Sequence, residues 1–347
     1  MSQPLQELKH EPVPSDRAGA PSLRGRAIAY LLFATILWGL SFPMGKAVEI
    51  GQRQLLPEAS SWFLASYMLV FRFGIAAVVL AFFAVRTLPS LTRVELWQGV
   101  GLGFFGGIGI LFQIDGLAFT NASTSAFLTM SYCVMLPLFV ALQHRALPPL
   151  RVVLCCLMVF VGMAILSGIN WHTLRMGRGE IETIIASLFF AGQILWLERP
   201  VFHDNRSSHA TIVMFAVVAM ICLPVGLFTQ QAASDWITAG RAPAVLGYLV
   251  TLTVVCTMVT FSLMNRWQRF LSATEAGLIY CAEPIWTSLM ALCLPAWLGI
   301  VGGFVYVNET ATSALVIGGA LITAANVVIQ LKPAGPVGEL AIPHHEV

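Results

Sequence analysis

Ten stretches of mostly apolar residues, each long enough to cross a bilayer as a helix, are separated by short polar segments in this 347-residue chain. A helix of roughly 20 residues matches the hydrocarbon thickness of a membrane. Within lipid, only helices and closed barrels satisfy their own backbone groups. The stretches are Ala27–Val48, Trp62–Val85, Leu96–Phe119, Ala122–Leu142, Val152–Ile169, Ile181–Leu197, Ala210–Phe228, Val245–Met264, Ala273–Leu294 and Thr312–Leu331. Only 10% of residues are charged and 57% are hydrophobic, against about 25% charged in a soluble domain. The expected fold is therefore an all-α integral membrane protein of ten transmembrane helices. Residues 1–26 are polar, with Pro4, Pro12, Pro14 and Pro21, and read as a flexible tail. The run that follows is too long for a signal-peptide core.

The basic residues set the orientation. With ten spans and the N-terminus inside, thirteen Lys and Arg fall in inside segments and four (Arg53, Arg175, Arg178, Arg241) in outside ones. The positive-inside rule then makes both termini cytoplasmic. Removing one span would invert every later loop and spoil the asymmetry.

The chain also repeats. Ser125-Ala126 is followed by Pro137, eleven residues after the alanine, and Ser272-Ala273 by Pro284, at the same interval. Both stretches belong to the fourth helix of a five-helix half. This divides the chain into a first repeat over 27–169, an external linker over 170–179, a second repeat over 180–331 and a cytoplasmic tail over 332–347. Five is odd, so the second half is inverted relative to the first. Inverted repeats characterise secondary transporters, whose binding sites lie at mid-membrane between the halves.

Short motifs carry a resemblance. Leu37-Trp38-Gly39-Leu40-Ser41-Phe42 precedes Lys46; Arg72-Phe73 precedes Ala76; Thr124-Ser125-Ala126 precedes Pro137; Ala273 precedes Glu283-Pro284; and Ile317-Gly318-Gly319-Ala320-Leu321-Ile322 opens the last run. In this order and spacing the chain resembles the ten-helix EamA-type carriers of the drug/metabolite transporter superfamily, over about residues 27–331. The resemblance implies a transporter of a small solute. It has departures. His144-Arg145-Ala146-Leu147-Pro148-Pro149 replaces the family's Gly-Glu pair before the fifth helix, and Asn308-Glu309 takes its place before the tenth. About a dozen extra residues (Ala296 to Asn308) follow the ninth helix, and Asn326 stands where the family has Gly.

Charges inside a membrane are expensive and mark functional candidates. Glu283 lies near the middle of the ninth run, beside a proline that frees a carbonyl. Tyr280, three residues earlier, shares its face. Trp38 and Ser41 share a face of the first run, and Tyr132 and Gln193 add aromatic and amide groups. These six residues form the expected substrate site. Glu283, Asp115 and Arg72 are the candidates for proton coupling or an ion pair, with Arg72 the expected partner of Asp115 and Gln113 nearby. Lys46 is expected to snorkel to the interface, and Glu182 and Glu198 to be interfacial. Gly99, Gly103 and Gly107 are spaced for close approach of another helix.

Several classes fall away. Net charge is +2, which argues against a nucleic-acid partner. The seven cysteines all sit in apolar stretches without CxxC spacing, so no disulfide or metal site is expected. No cofactor motif is present, and no GxxxxGK[ST] phosphate loop. The seven histidines are placed in loops or tails, so a catalytic serine has no base and no catalytic residue is assigned. The expected function is secondary transport, in the exporting direction, of a metabolite, amino acid or drug-like solute across a bacterial inner membrane. A scaffold or receptor, and less so a membrane-embedded enzyme, are the alternatives. The expected partners are the small-molecule substrate and membrane lipid, with a homodimer left open.

Overall fold

The computed structural model describes residues 21–132, 134–135, 150–166, 176–197, 199–271 and 273–331, and those residues contain no strand. The helices are α1 (Pro21–Leu55), α2 (Ser61–Phe83), α3 (Arg93–Leu117), α4 (Ala122–Thr129), α5 (Leu150–Leu166), α6 (Arg178–Leu197) and α7 (Ser207–Thr229). They continue with α8 (Pro243–Phe270), α9 (Ala273–Tyr280), α10 (Glu283–Ala291), α11 (Leu294–Gly302) and α12 (Ser313–Leu331).

Six of these (α1, α2, α3, α6, α7 and α8) are long and apolar enough to cross a membrane. The ninth stretch adds a seventh if it is taken as one bent span with α11, from which it is turned by 59°. The fifth and tenth stretches form shorter apolar helices. Of the fourth, Cys133 and every residue beyond Met135, Pro137 included, lie outside the described residues, as do Ser272, Glu198, the segment 144–149, residues 1–20 and the tail 332–347; residues 21–26, expected in the first tail, belong to α1. Large apolar side chains such as Phe82, Phe160, Phe228 and Ile300 point outward. A belt of this kind suits lipid rather than water.

Local chemistry sets where elements start and break. Thr92 Oγ1 accepts the Glu95 N–H at 3.1 Å, and Glu95 Oε2 accepts the Thr92 N–H at 2.9 Å. This reciprocal capping box starts α3. Pro43 inside α1 removes the donor to the Gly39 carbonyl. At that point α10 crosses so closely that a Cβ on Gly39 would lie 2.9 Å from Trp286 Cβ. The extra residues after the ninth stretch are not a loose loop. They form α11, whose chain returns so that Asn308 Oδ1 accepts the Ala296 N–H at 2.8 Å.

Glycine governs the packing. A Cβ on Gly103 would lie 2.6 Å from Val217 Cβ, and one on Gly107 would lie 3.3 Å from Val218 Cα. The Gly99/Gly103/Gly107 stripe therefore meets α7, as its spacing predicts. A second glycine face, on Gly101, Gly106, Gly109 and Gly116, receives Trp196, Gln193, Phe190 and the Gly179 carbonyl of α6. α3 is thus wedged between α6 and α7. Elsewhere α2 packs along α7, α5 along α12, and α1 against α8 and α10. At the α5–α12 crossing, a Cβ on Gly162 would lie 2.8 Å from the Gly318 carbonyl, and one on Gly318 would lie 2.8 Å from the Gly162 carbonyl.

Candidate functional site

A cavity of about 100 Å³ sits among α1, α2, α3, α4, α6, α8 and the junction of α9 with α10. Trp38, Ser41, Arg72, Tyr132, Gln193, Tyr280 and Glu283 all line it. The six residues expected at a substrate site are therefore brought together, from helices far apart in sequence. Asp115 is not among them.

Arg72 is 1% exposed and reaches across to α8. Its Nε donates to Thr257 Oγ1, and an Nη donates to the Cys256 carbonyl at 3.1 Å. That acceptor exists because α8 passes through a single π-helical turn over Val254–Val259. A π turn displaces carbonyls from the normal ladder, and such turns gather at functional sites. Thr257 Oγ1 in turn donates to Leu252 O, five residues back, at 2.9 Å. Among the described residues, the guanidinium is hydrogen-bonded by neutral oxygens alone. Its expected ion pair with Asp115 does not form.

Glu283 begins α10, directly after a break at Cys281 and Ala282, with Pro284 behind it. The break ends α9 at Tyr280 and turns the carboxylate into the cavity. Glu283 is 8% exposed, and its carboxylate makes no hydrogen bond or ion pair with a described residue. The Tyr280 hydroxyl donates to Gln268 Oε1 at 2.7 Å, which leaves the ring to form wall. Trp38 stands edge-on to both Tyr280 and Phe261, at 5.6 Å between ring centroids. Edge-to-face aromatics of this kind make a stiff apolar surface.

The α6 wall depends on missing side chains opposite it. Gln193 fits because Gly106 has no Cβ, and Trp196 because Gly101 has none. Trp196 Nε1 donates to the Gln98 carbonyl at 3.2 Å. Gln113 also lines the cavity, and its amide donates to Thr129 Oγ1 at 2.8 Å. Asn326, at the family's glycine position, donates to the Met130 carbonyl at 3.4 Å, at the end of α4.

The remaining polar candidates find other partners. Asp115 is fully buried and pairs with Arg178, which also donates to Glu182 Oε1 at 2.7 Å. Arg178 was counted as part of an external segment, but it is the first residue of α6. Its spacing to Glu182, four residues on, was the available signal. Glu182 is buried. Lys46 Nζ donates to the Thr120 carbonyl. Glu309 accepts the Ala122 N–H at 2.7 Å and the Ser123 hydroxyl, capping α4 from the segment that leads into α12. His209 is no loop residue. It lies fully buried in the first turn of α7, 3.2 Å from Glu95 Oε2 and 3.2 Å from Thr87 Oγ1. Arg206 donates to the same glutamate at 2.8 Å. This cluster ties α7 to the start of α3. Phe190, Phe261, Ile110 and Met264 complete the cavity wall. As apolar residues they carried no signal separating wall from core.

Among the described residues no group of three or more His, Cys, Asp or Glu side chains could hold a metal. The cavity offers one carboxylate, one guanidinium, amides and aromatic faces. That inventory can bind a small amphipathic molecule by charge and shape.

Comparison with known proteins agrees with this chemistry. Residues 25–168 match the EamA-like transporter family. An uncharacterized transporter of Archaeoglobus fulgidus is 26% identical over 269 residues, 77% of each chain. The uncharacterized inner membrane transporter YicL of Salmonella typhimurium is 25% identical over 286 residues, which span 78% of this chain and 89% of that one. A crystal structure 17% identical in sequence aligns with a TM-score of 0.51 over 89% of this chain and 97% of the other, a likeness of fold alone. The chain is an integral membrane protein whose residues 25–168 match the EamA-like transporter family and whose listed relatives are named as transporters.

Proposed function

We propose that the protein is a secondary transporter exporting a small organic solute (a metabolite, amino acid or drug-like compound) by alternating access across a bacterial inner membrane, with both termini cytoplasmic. The observation that carries the reading is the composition of the cavity wall. Trp38, Ser41, Arg72 and Tyr132 come from the first five apolar stretches; Gln193, Tyr280 and Glu283 come from the second five. A site shared by two halves is open to either side when the halves rock against each other.

The packing supports a division into inverted halves over 27–169 and 180–331. With the ten stretches numbered in order, three touches six and eight touches one. Three also touches seven, as eight touches two; four touches six, as nine touches one; four touches five, as nine touches ten. Two meets seven, five meets ten and four meets nine. These relations recur five places on, as a pseudo-two-fold axis between halves would give.

Glu283 gives the site its charge preference. An ionised carboxylate at mid-depth without a partner is costly, by several kcal/mol. It is relieved by a proton or by a cationic group on the solute. The test starts with a thermal-shift screen of purified protein against metabolites, amino acids and organic cations. Compounds that stabilise it are then used for counterflow in proteoliposomes. Saturable counterflow supports the reading. Binding without flux returns the protein to a receptor role, and unsaturable flux indicates a channel.

A further inference from the structure

We infer that Asp115 and Glu182 together bind one proton where α3 ends and α6 begins, at a site separate from the central cavity. The pair is created by a close helix crossing. A Cβ on Gly116 would lie 2.8 Å from the Gly179 carbonyl, and one on Gly179 would lie 3.0 Å from Thr120 Cβ. Across this contact both carboxylates bind the same guanidinium, that of Arg178.

The hydrogen-bond count is incomplete without a proton. Arg178 donates Nε to Glu182 Oε1 at 2.7 Å, one Nη to Asp115 Oδ2, and the same Nη to Ser61 Oγ at 3.3 Å. Asp115 Oδ1 and Glu182 Oε2 are left over, both buried and both without a partner. Two acids in contact share one cation, and like charges this close do not both ionise readily.

Among the described residues no other charge enters the site. Glu180 is turned toward Thr120, accepting its hydroxyl at 2.7 Å, and belongs with Glu49 and Glu309 to the surroundings of Lys46. Among the described residues of α2, α3, α4 and α6, Arg178 is the charge that faces the pair. Asp115 lies in the last turn of α3, where the helix dipole disfavours an anion, whereas Glu182 lies near the start of α6, where it is favoured. The proton lies between Asp115 Oδ1 and Glu182 Oε2, the two buried oxygens left without a donor. One O–H satisfies both orphan oxygens and leaves a single negative charge opposite Arg178. Its binding and release involve a proton alone, with no redox partner.

The test uses the full-length protein in lipid, without solute, so it is independent of whether transport occurs. Infrared difference spectra are recorded as pH is raised. The wild type should lose a protonated-carboxyl band that is absent in both Asp115→Asn and Glu182→Gln and retained in Glu283→Gln. If both pair variants keep the band, the inference is overturned. Thermal unfolding gives a second readout. Folding that takes up a proton weakens as pH rises. The wild-type midpoint should therefore fall across the titration, and Glu182→Gln, whose amide supplies the donor permanently, should lessen that fall. A Glu182→Gln midpoint with the wild-type pH dependence would overturn the inference as well.

Discussion

Glu283 and Arg72 line the same cavity, but the fold treats them differently. Arg72 is anchored by Thr257 and the Cys256 carbonyl, whereas Glu283 has no hydrogen-bond or ion-pair partner among the described residues. Removing each should therefore have opposite consequences. Glu283→Gln keeps the shape and removes a charge that no described residue pairs with. Its unfolding midpoint should equal or exceed the wild-type value, while affinity for a transported cationic solute falls at least about tenfold, the equivalent of about 1.4 kcal/mol. A purely structural glutamate would show the reverse pattern. Thr257→Val, nearly isosteric, removes the Arg72 Nε acceptor. Hydrogen bonds to charged groups contribute about 1.5–3 kcal/mol, so this variant should melt lower by that much in detergent denaturation. Part of this pairing was legible in the sequence: a glutamate followed by proline inside an apolar run is a bend with a charge on it. The partner of Asp115 was not, because Arg178 sits at a helix start that composition cannot distinguish from a loop. His209 was missed for the same reason, being one residue outside the apolar run yet fully buried in α7.

At the scale of elements, α3 is the piece on which the bundle is assembled. Its two glycine faces let α6 and α7 approach to near backbone contact. Gly103→Val would drive a branched side chain into Val217 and the Met214 carbonyl, at 2.6 and 2.8 Å from the new Cβ alone. Overpacking of this kind costs about 1–3 kcal/mol, seen as a lower unfolding midpoint. Gly247→Ala in α8 is the matched control. A Cβ there meets nothing within 4 Å, and replacing a mid-helix glycine is stabilising by about 0.5–1 kcal/mol. The Gly99/Gly103/Gly107 face was legible because it follows a four-residue repeat. The second face was not, because its glycines at 101, 106, 109 and 116 are irregularly spaced and match bulky partners on α6 one by one. The residues from Ala296 to Asn308 read as an insertion of no assigned shape. Their folding into α11 depends on Asn308 and on a 59° turn from the ninth stretch, both tertiary matters.

At the scale of the whole molecule, hydrophobicity supplied the number of apolar stretches, and helices occupy the described part of each. Their pairing was only hinted at by two Ser-Ala pairs with a distant proline. The proposed division into halves draws its support from neighbour relations that recur five places on. The central claim is that a cavity built by both halves faces each side of the membrane in turn. Ser41 is its most suitable reporter, being small, half-buried and on the cavity wall. The direct measurement is labelling of Ser41→Cys, in a background with the native cysteines replaced, by an impermeant thiol reagent applied from one side of oriented vesicles and then the other. The account predicts labelling from both sides, with protection by a transported solute in each case. Labelling from one side only, unchanged by solute, would contradict it.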